Sequence, residues 1–179
     1  YCQPCVSPVW DTALAAHAML EVGSDEAVAQ AHKALDWLRP RQVLDVAGDW
    51  IDQRPGVRPG GWAFQYNNDH YPDLDDTAVV AMAMDRAAGL RGETDAEAVS
   101  RAREWVEGLQ SKDGGWGAFD ADNDKLYLNN LPFADHGALL DPPTADVGAR
   151  CVSMLAQLGE PIDTPRMKAA LAWLEREQE

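Results

Sequence analysis

Apolar residues recur at helical spacing in six segments of the chain. In one of them Val99, Ala102, Trp105, Val106 and Leu109 fall on a single helical face. The pattern predicts helices over about 11–22, 25–39, 75–89, 94–110, 144–157 and 163–178. No segment shows the alternation typical of a half-buried strand, and the best candidate for a short extended piece is 61–66. The sequence therefore predicts an all-α fold.

A repeat runs through the chain. Three tryptophans are spaced 68 residues apart, and a glutamine follows each of them five positions later: Trp37, Trp105, Trp173, Gln42, Gln110 and Gln178. Each unit is predicted to contain an inner helix, a short turn, an outer helix and a long loop that carries glycine and tryptophan. We therefore expect three helix hairpins in units of about 1–65, 66–135 and 136–179, within a single partial domain over 1–179.

Helix hairpins of this kind build α/α toroids or barrels, which need about six hairpins to close. The predicted hairpins make about half of such a barrel. The chain also starts without methionine and stops where the two earlier units continue toward a Gly-Gly-Trp loop. We therefore expect a piece of a longer protein.

Two loops carry matching Gly-Gly-Trp sequences, at 60–62 and 114–116. Glycine lets the backbone approach a large indole closely. A glutamine amide can bond to unpaired backbone groups at a helix end while the tryptophan stacks over it. We predict that Gln110 and Trp116 tie one helix hairpin to the next.

The charge and the cysteines exclude several classes of function. The 179 residues carry a net charge of -15, which disfavours nucleic acid and electrostatic docking on anionic lipid. No apolar stretch approaches the ~18 residues of a transmembrane helix. The Cys2–Cys5 pair has no second pair at ligand spacing, and Cys151 falls in an apolar helical segment. We expect no metal site and no redox chemistry at these cysteines.

The strongest chemical signal is a cluster of acids. Asp73, Asp75 and Asp76 lead into the apolar run 79–84. Like charges this close cannot all stay ionised in a dry pocket, so one is pushed toward its neutral form. A neutral carboxyl flanked by carboxylates can donate a proton and stabilise the cation it creates. Aspartates before a helix also act as N-caps, and this interpretation stays open here.

These segments resemble those of the squalene–hopene cyclases, a family of triterpene cyclases. Gln110-x3-Gly114-x-Trp116 is similar to the family's QW motif, and 73–78 is similar to its DxDDTA motif. The resemblance extends from 3–12 through 60–68 to the Asp-Pro-Pro segment at 141–143. Oxidosqualene cyclases resemble the family in fold but carry a different aspartate motif.

The resemblance implies a role for each charged residue. Asp75 would protonate a terminal alkene, while Asp73 and Asp76 would hold its proton and compensate the developing cation. Asp146 would support them from a second layer. Arg150 stands where many members carry a histidine that polarises the acid, and an arginine is always charged. Since Asp146 and Arg150 are four positions apart, an ordinary surface ion pair is the alternative.

The resemblance also implies aromatic residues around the substrate. Trp10, Phe64 and Phe119 align with cavity aromatics, whose faces stabilise carbocations without offering a nucleophile. The segment 131–134, with Phe133, resembles the loop that gates the substrate channel from the membrane. Each of these side chains could instead belong to the core.

The implied activity is proton-initiated cyclisation of squalene to hopene or hopanol without a cofactor, an isomerase and hydro-lyase chemistry. The parent protein would bind the cytoplasmic side of a membrane as a monotopic homo-oligomer. The chain alone is expected to be soluble and inactive. A toroid cut open exposes inner-helix apolar faces, so we also expect self-association.

Other interpretations remain open at this stage. An inverting glycoside hydrolase on an α/α barrel would use Asp75 as acid and Asp146 as base. The acids could hold Mg²⁺ for a diphosphate substrate, although no basic clamp accompanies them. A related class II cyclase with another isoprenoid substrate and a non-catalytic scaffold are the remaining alternatives.

Overall fold

The structure, a computed structural model, describes residues 6–65, 67–91, 95–132 and 140–178. They contain six α-helices: α1 (Pro8–Val22), α2 (Asp25–Leu38), α3 (Leu74–Arg91), α4 (Ala96–Gly108), α5 (Ala145–Gln157) and α6 (Pro165–Arg176). Short 3-10 helices at Arg39–Arg41, Asp49–Asp52 and Leu126–Asn130 lie in the connections. The all-α prediction is confirmed for this part of the chain.

The largest difference between predicted and observed helix bounds is at the start of α1. The periodicity predicted a start at residue 11, whereas the helix begins at Pro8. Ser7 is the N-cap, because its hydroxyl accepts a hydrogen bond from the Trp10 N–H at 2.9 Å. Proline at the first helical position costs no hydrogen bond. The Ser-Pro pair is thus a start signal that apolar periodicity alone does not register.

The helices pack as three hairpins with α3 at the centre. α1 contacts α2, α3 contacts α4, and α5 contacts α6, while α3 also contacts α1 and α5. Because neighbours surround α3, its buried residues are not confined to one face, and the consecutive Val79, Val80 and Ala81 are all buried. The unit boundaries at 65 and 135 stay predictions.

A tryptophan and a glutamine tie the second hairpin to the third. The Trp116 indole donates to the Val106 carbonyl at 2.9 Å, in the last turn of α4. In the backbone that carbonyl accepts only a long bond from the N–H of the C-cap residue Leu109 at 3.3 Å, and the indole adds the shorter one. The Gln110 amide donates to the carbonyls of Gly114 at 2.9 Å and Arg166 at 3.2 Å. The predicted tie by Gln110 and Trp116 is confirmed.

The first hairpin is tied to the second in the same way. The Trp62 indole donates to the Leu38 carbonyl at 2.8 Å, and the Gln42 amide donates to Gly60 at 2.7 Å and Ala98 at 2.8 Å. Here glutamine and tryptophan are 20 positions apart (62 minus 42), against 6 in the second loop (116 minus 110). The tie therefore tolerates a much longer loop.

Glycine is required where each loop crosses the next outer helix. A Cβ on Gly61 would lie 2.8 Å from the Trp105 ring, and one on Gly115 would lie 2.6 Å from the Trp173 ring. Both tryptophans are buried. Trp105 and Trp173, which are 68 residues apart, are thus each approached closely by the preceding Gly-Gly-Trp loop.

None of the helices in the described ranges is both long enough and apolar enough to cross a bilayer.

Candidate active site

Asp73 caps α3 and so places the other two acids in its first turn. Its Oδ1 accepts hydrogen bonds from the N–H groups of Asp75 at 2.7 Å and Asp76 at 3.2 Å. This is the N-cap pattern that the sequence left open, and for Asp73 it is confirmed. Burial raises the Asp73 pKa to about 6, although the hydrogen bond from the Asp76 N–H opposes the shift.

The first Gly-Gly-Trp loop holds this helix start in place. Trp62 and Asp73 form an isolated antiparallel bridge, in which the Asp73 N–H donates to the Trp62 carbonyl at 2.7 Å. The Thr77 hydroxyl donates to the Asp73 carbonyl at 2.6 Å and accepts from the Trp62 N–H at 2.9 Å. The extended piece suggested at 61–66 amounts to this one bridge among the described residues. The first Gly-Gly-Trp loop and the acid motif are therefore joined by hydrogen bonds.

Asp76 is the most deeply buried acid of the motif. It is 1% exposed, and neither carboxyl oxygen has a hydrogen-bond partner among the described residues. Burial, followed by the charges of Asp73 and Asp75, raises the Asp76 pKa to about 8, while Arg150 opposes the shift. The shift favours the neutral form of Asp76, which is the direction predicted for one acid of the cluster, and the protonation state itself stays a prediction.

Asp75 is paired with a cation. Arg150 of α5 donates from Nη1 to the Asp75 Oδ1 at 2.5 Å. The Arg150 side chain is 34% exposed and that of Asp75 is 23% exposed, so the pair is partly shielded from solvent. A guanidinium here stabilises the carboxylate form of Asp75. The structure brings these two predicted site residues together, and their catalytic roles stay predictions.

Trp10 lies against the same guanidinium. The Arg150 Cζ is 5.0 Å from the centroid of the Trp10 ring, within cation–π range. Since Trp10 is the third residue of α1, the inner helices α1, α3 and α5 meet at this point. Its role as a cavity aromatic stays a prediction.

Asp146 does not pair with Arg150. It is exposed in the first turn of α5, and a hydrogen bond from the Thr144 side chain is the main cause that lowers its pKa. Among the described residues the ion pair of Arg150 is with Asp75. The charge of Arg150 still contributes to lowering the Asp146 pKa, so the choice between a supporting role and an ordinary surface interaction for Asp146 stays a prediction.

Two further predicted aromatic residues, Phe119 and Phe64, lie outside the α-helices. Phe119 contacts Tyr71 edge to face with ring centroids 6.5 Å apart. Phe64 is half-buried, and its carbonyl accepts a hydrogen bond from the Ser7 hydroxyl at 2.5 Å. Phe133 of the proposed channel loop lies outside the described residues.

Asp11 was not predicted as a site residue. Its charge contributes to the raised pKa of Asp76, so it lies near the buried acid. A signal was present in the sequence, because Asp-Thr-Ala at 11–13 repeats the Asp-Thr-Ala at 76–78.

Asp141 was also missed, although its Asp-Pro-Pro segment carried part of the resemblance. Its Oδ2 accepts a hydrogen bond from the Phe119 N–H at 2.7 Å. Its charge contributes to the raised pKa of Asp73. Asp141 therefore connects a predicted aromatic residue to the surroundings of the acids.

In the part of the chain that the structure describes, no group of three or more His, Cys, Asp or Glu side chains could hold a metal ion. Cys2 and Cys5 lie outside the described residues. Cys151 is a buried free thiol, as the apolar pattern predicted.

Comparison with known proteins identifies the family. The family model for the squalene-hopene cyclase C-terminal domain matches residues 6–179. The chain is 67% identical over 181 residues to a squalene–hopene cyclase of Zymomonas mobilis, covering 100% of this chain and 28% of that protein. It is 64% identical over 180 residues to one of Bradyrhizobium diazoefficiens, covering 99% and 27%. Against one of Alicyclobacillus acidocaldarius it is 40% identical over 176 residues, covering 98% and 28%.

The chain thus spans 28% of the length of the Zymomonas mobilis relative. The named relatives favour a cyclase over the glycoside hydrolase alternative. Because the family model covers all but the first five residues and identity reaches 67%, the chain belongs to the squalene–hopene cyclase family.

Proposed function

We propose that this chain supplies the proton-donating part of a longer cyclase that converts squalene to hopene and, by water capture, to hopanol. The observation that carries the proposal is the Asp75–Arg150 contact beside the buried, neutral Asp76. The relatives named as squalene–hopene cyclases support the choice of substrate and product.

Asp75 starts the reaction from its protonated form by giving its proton to a terminal alkene, and the ion pair with Arg150 is the arrangement left after that transfer. The π electron pair forms a new C–H bond to the proton, Asp75 becomes a carboxylate, and positive charge develops on the more substituted alkene carbon. Arg150 stabilises the carboxylate through its hydrogen bond. Because Asp76 is neutral, it adds no second negative charge beside the one that Asp75 acquires.

The later cations need stabilisation without a nucleophile. Trp10, Phe64 and Phe119 would present aromatic faces, whose negative potential attracts cations but which have no reactive lone pair. Loss of a proton from the last cation gives hopene, and capture of water gives hopanol. The overall reaction is an isomerisation or hydration, and it consumes no cofactor.

The test is product analysis. The full-length protein is incubated with squalene, and the extract is separated by gas chromatography with mass detection. Hopene and hopanol are expected, and they should be absent with an Asp75→Asn control. A wild-type protein that leaves squalene unchanged, or a polycycle formed only from another isoprenoid, contradicts the proposal.

We further infer that the longer protein is a monotopic homo-oligomer on the cytoplasmic face of the membrane. Squalene partitions into hydrocarbon, and a chain with net charge -15 must reach anionic lipid through apolar contacts. Leu126 and Tyr127, which are 53% and 68% exposed, precede the proposed channel loop at 131–134.

Liposome flotation and sedimentation equilibrium test this inference on the full-length protein. Leu126→Ser with Tyr127→Ser should lower the liposome-bound fraction. Ile162→Ser, at a position that is 70% exposed, is the matched control and should leave that fraction unchanged. Equal flotation of all variants, or a monomer in detergent at all concentrations, argues against the respective part of the inference.

A further inference from the structure

We propose that Asp141 is a positioning residue for cyclisation. Its carboxylate fixes the backbone turn 117–120, and through that turn it fixes both the Phe119 ring and the first residue of α3. The inference rests on the proposed function, because the placement of Phe119 affects products only if carbocations pass beside it.

The carboxylate binds the backbone of the turn. The Phe119 N–H donates to its Oδ2 at 2.7 Å. Burial raises the pKa of Asp141, and the backbone N–H groups of Phe119, Ala118 and Asp120 oppose that shift. N–H groups that converge on a carboxylate in this way form an anion-binding concavity. The turn therefore depends on one side chain for its shape.

The same turn completes the start of α3. The Ala118 carbonyl accepts a hydrogen bond from the Leu74 N–H at 2.8 Å. Leu74 is the first residue of α3, so its N–H has no intrahelical acceptor. The Asp73 side chain already takes the N–H groups of Asp75 and Asp76. The three successive N–H groups at 74–76 are thus bonded either to the Asp73 side chain or to the turn that Asp141 binds.

Gly117 shows how close the approach is. A Cβ at this position would lie 2.6 Å from the Asp141 carbonyl oxygen and 2.9 Å from its Oδ2. Only glycine fits this contact without movement. Gly117 therefore offers a second position from which the same contact can be disturbed.

The consequence for the reaction lies with Phe119. Its ring is half-buried and contacts Tyr71 edge to face at 6.5 Å, two residues before the Asp73 cap. A turn released from Asp141 would move the ring relative to the proton donor. Small misplacements cost rate. A cation that loses its aromatic partner also deprotonates early, which releases less cyclised products.

The main test is Asp141→Asn in the full-length protein. Asparagine keeps the size but replaces one acceptor oxygen by an NH2 group, which cannot accept. We expect kcat with squalene to fall about ten-fold or more and the share of incompletely cyclised products to rise. Asp120→Asn is the matched control, since the Asp120 carboxylate accepts from Asn123 at 3.2 Å instead of holding the turn. The control should keep kcat within about two-fold and the wild-type product ratio.

A double variant with Phe119→Leu tests the route of the effect. If Asp141 acts through Phe119, the product shifts of the two single variants are not additive. Additive shifts, or Asp141→Asn with wild-type products, overturn the inference. Should Asp141→Asn fail to fold, Gly117→Ala disturbs the same contact, and unchanged products from that variant overturn it as well.

Hydrogen exchange separates this inference from the proposed function. Asp141→Asn should speed exchange of the amides at 118–120 and 74 more than Asp120→Asn does, whether or not squalene is the substrate. A wild-type protein inactive on squalene would defeat the proposed function alone. Unchanged exchange in Asp141→Asn would defeat the inference alone.

Discussion

The first turns of α3 and α5 hold corresponding places in successive repeat units, yet their acids are in opposite electrostatic states. Asp76 is 1% exposed and its pKa is raised to about 8. Asp146 is exposed and its pKa is lowered, mainly by the Thr144 side chain. The two helices begin with related sequences, Asp-Thr-Ala-Val and Asp-Val-Gly-Ala. Position in the repeat therefore does not determine the chemistry of an acid.

The difference comes from what covers each helix start. α3 packs between α1 and α5, and its first turn is bonded to the Trp62 loop and to the turn that contains Ala118. This cover excludes water from Asp76. At the start of α5 the backbone bond from Thr144 to Trp116 is present, but Asp146 stays in solvent. Packing of two loops over the helix start, and not the position of the aspartate in the first turn, is what raises the pKa of the acid on α3.

The largest expected effect is a difference in squalene turnover between a variant of the acid motif on α3 and a variant of Asp146 on α5. Asp75→Asn keeps the shape but has no transferable proton, so squalene turnover should fall by at least about 10³-fold. Asp146→Asn, in exposed surroundings, should cost far less. Gas chromatography of products from the purified full-length variants measures both. Near-wild-type turnover by Asp75→Asn would remove Asp75 from the mechanism.

The next effect is a difference in the pH dependence of stability. The folded chain keeps the Asp76 proton up to a pKa of about 8, whereas the unfolded chain releases it near 3.8. The stabilising contribution of that proton is full below the unfolded pKa and is lost as pH rises through the folded one. The loss is at most about 1.4 kcal/mol per pH unit. Asp76→Asn should therefore gain stability over the wild type as pH rises.

Urea unfolding at about pH 5 and about pH 8 measures this difference. Asp146→Asn is the control with the opposite sign. A lowered pKa in the folded chain stabilises it at pH values above the unfolded pKa, and this stabilisation is lost as the pH falls through the folded pKa. The effect of Asp146 should be small, since solvent screens it. If the wild type and Asp76→Asn lose stability in parallel, Asp76 is ionised in the folded chain.

The third effect concerns the cation that distinguishes Asp75. Arg150→Ala should lower squalene turnover about 10²-fold, because the carboxylate product of proton transfer loses its charged donor. Arg150→His should restore part of the rate, and the restored part should fall as pH rises through about 6.5, where imidazole loses its charge. Arg86→Ala, which removes an exposed ion pair with Glu21 on the same inner helices, is the control. Equal rates for all variants would reduce Arg150 to a structural ion pair.

Features set by the local sequence, such as helix bounds, were predictable. Features that depend on which distant segments pack over a residue, such as the burial of one aspartate, were not. Helix bounds and the Gln110–Trp116 tie follow from periodicity and repeats. Three neighbouring aspartates share one local sequence, so their division into the cap Asp73, the paired Asp75 and the buried Asp76 required the fold. The Asp75–Arg150 contact spans 75 residues, and only the family resemblance suggested it.

The smallest expected effect tests the hydrogen bonds that set α3 apart from α5. Thr77→Val keeps the shape but removes the hydroxyl that joins the Asp73 carbonyl to the Trp62 N–H. A buried N–H left without its acceptor should cost about 1–2 kcal/mol of unfolding free energy, measured by urea unfolding. A loss well below this range would show that the bridge does not hold the acid motif.

The reciprocal change belongs on α5, where the corresponding residue is already the buried Val147. Val147→Thr adds a hydroxyl that can bond to the backbone carbonyl four residues earlier, as Thr77 does to Asp73. Its cost should therefore stay below about 1 kcal/mol. If both changes cost the same, the threonine bridge is incidental, and the different states of Asp76 and Asp146 come from apolar cover alone. A larger cost at Thr77 would show instead that the loop must be fastened to α3 before it can keep water from the buried acid.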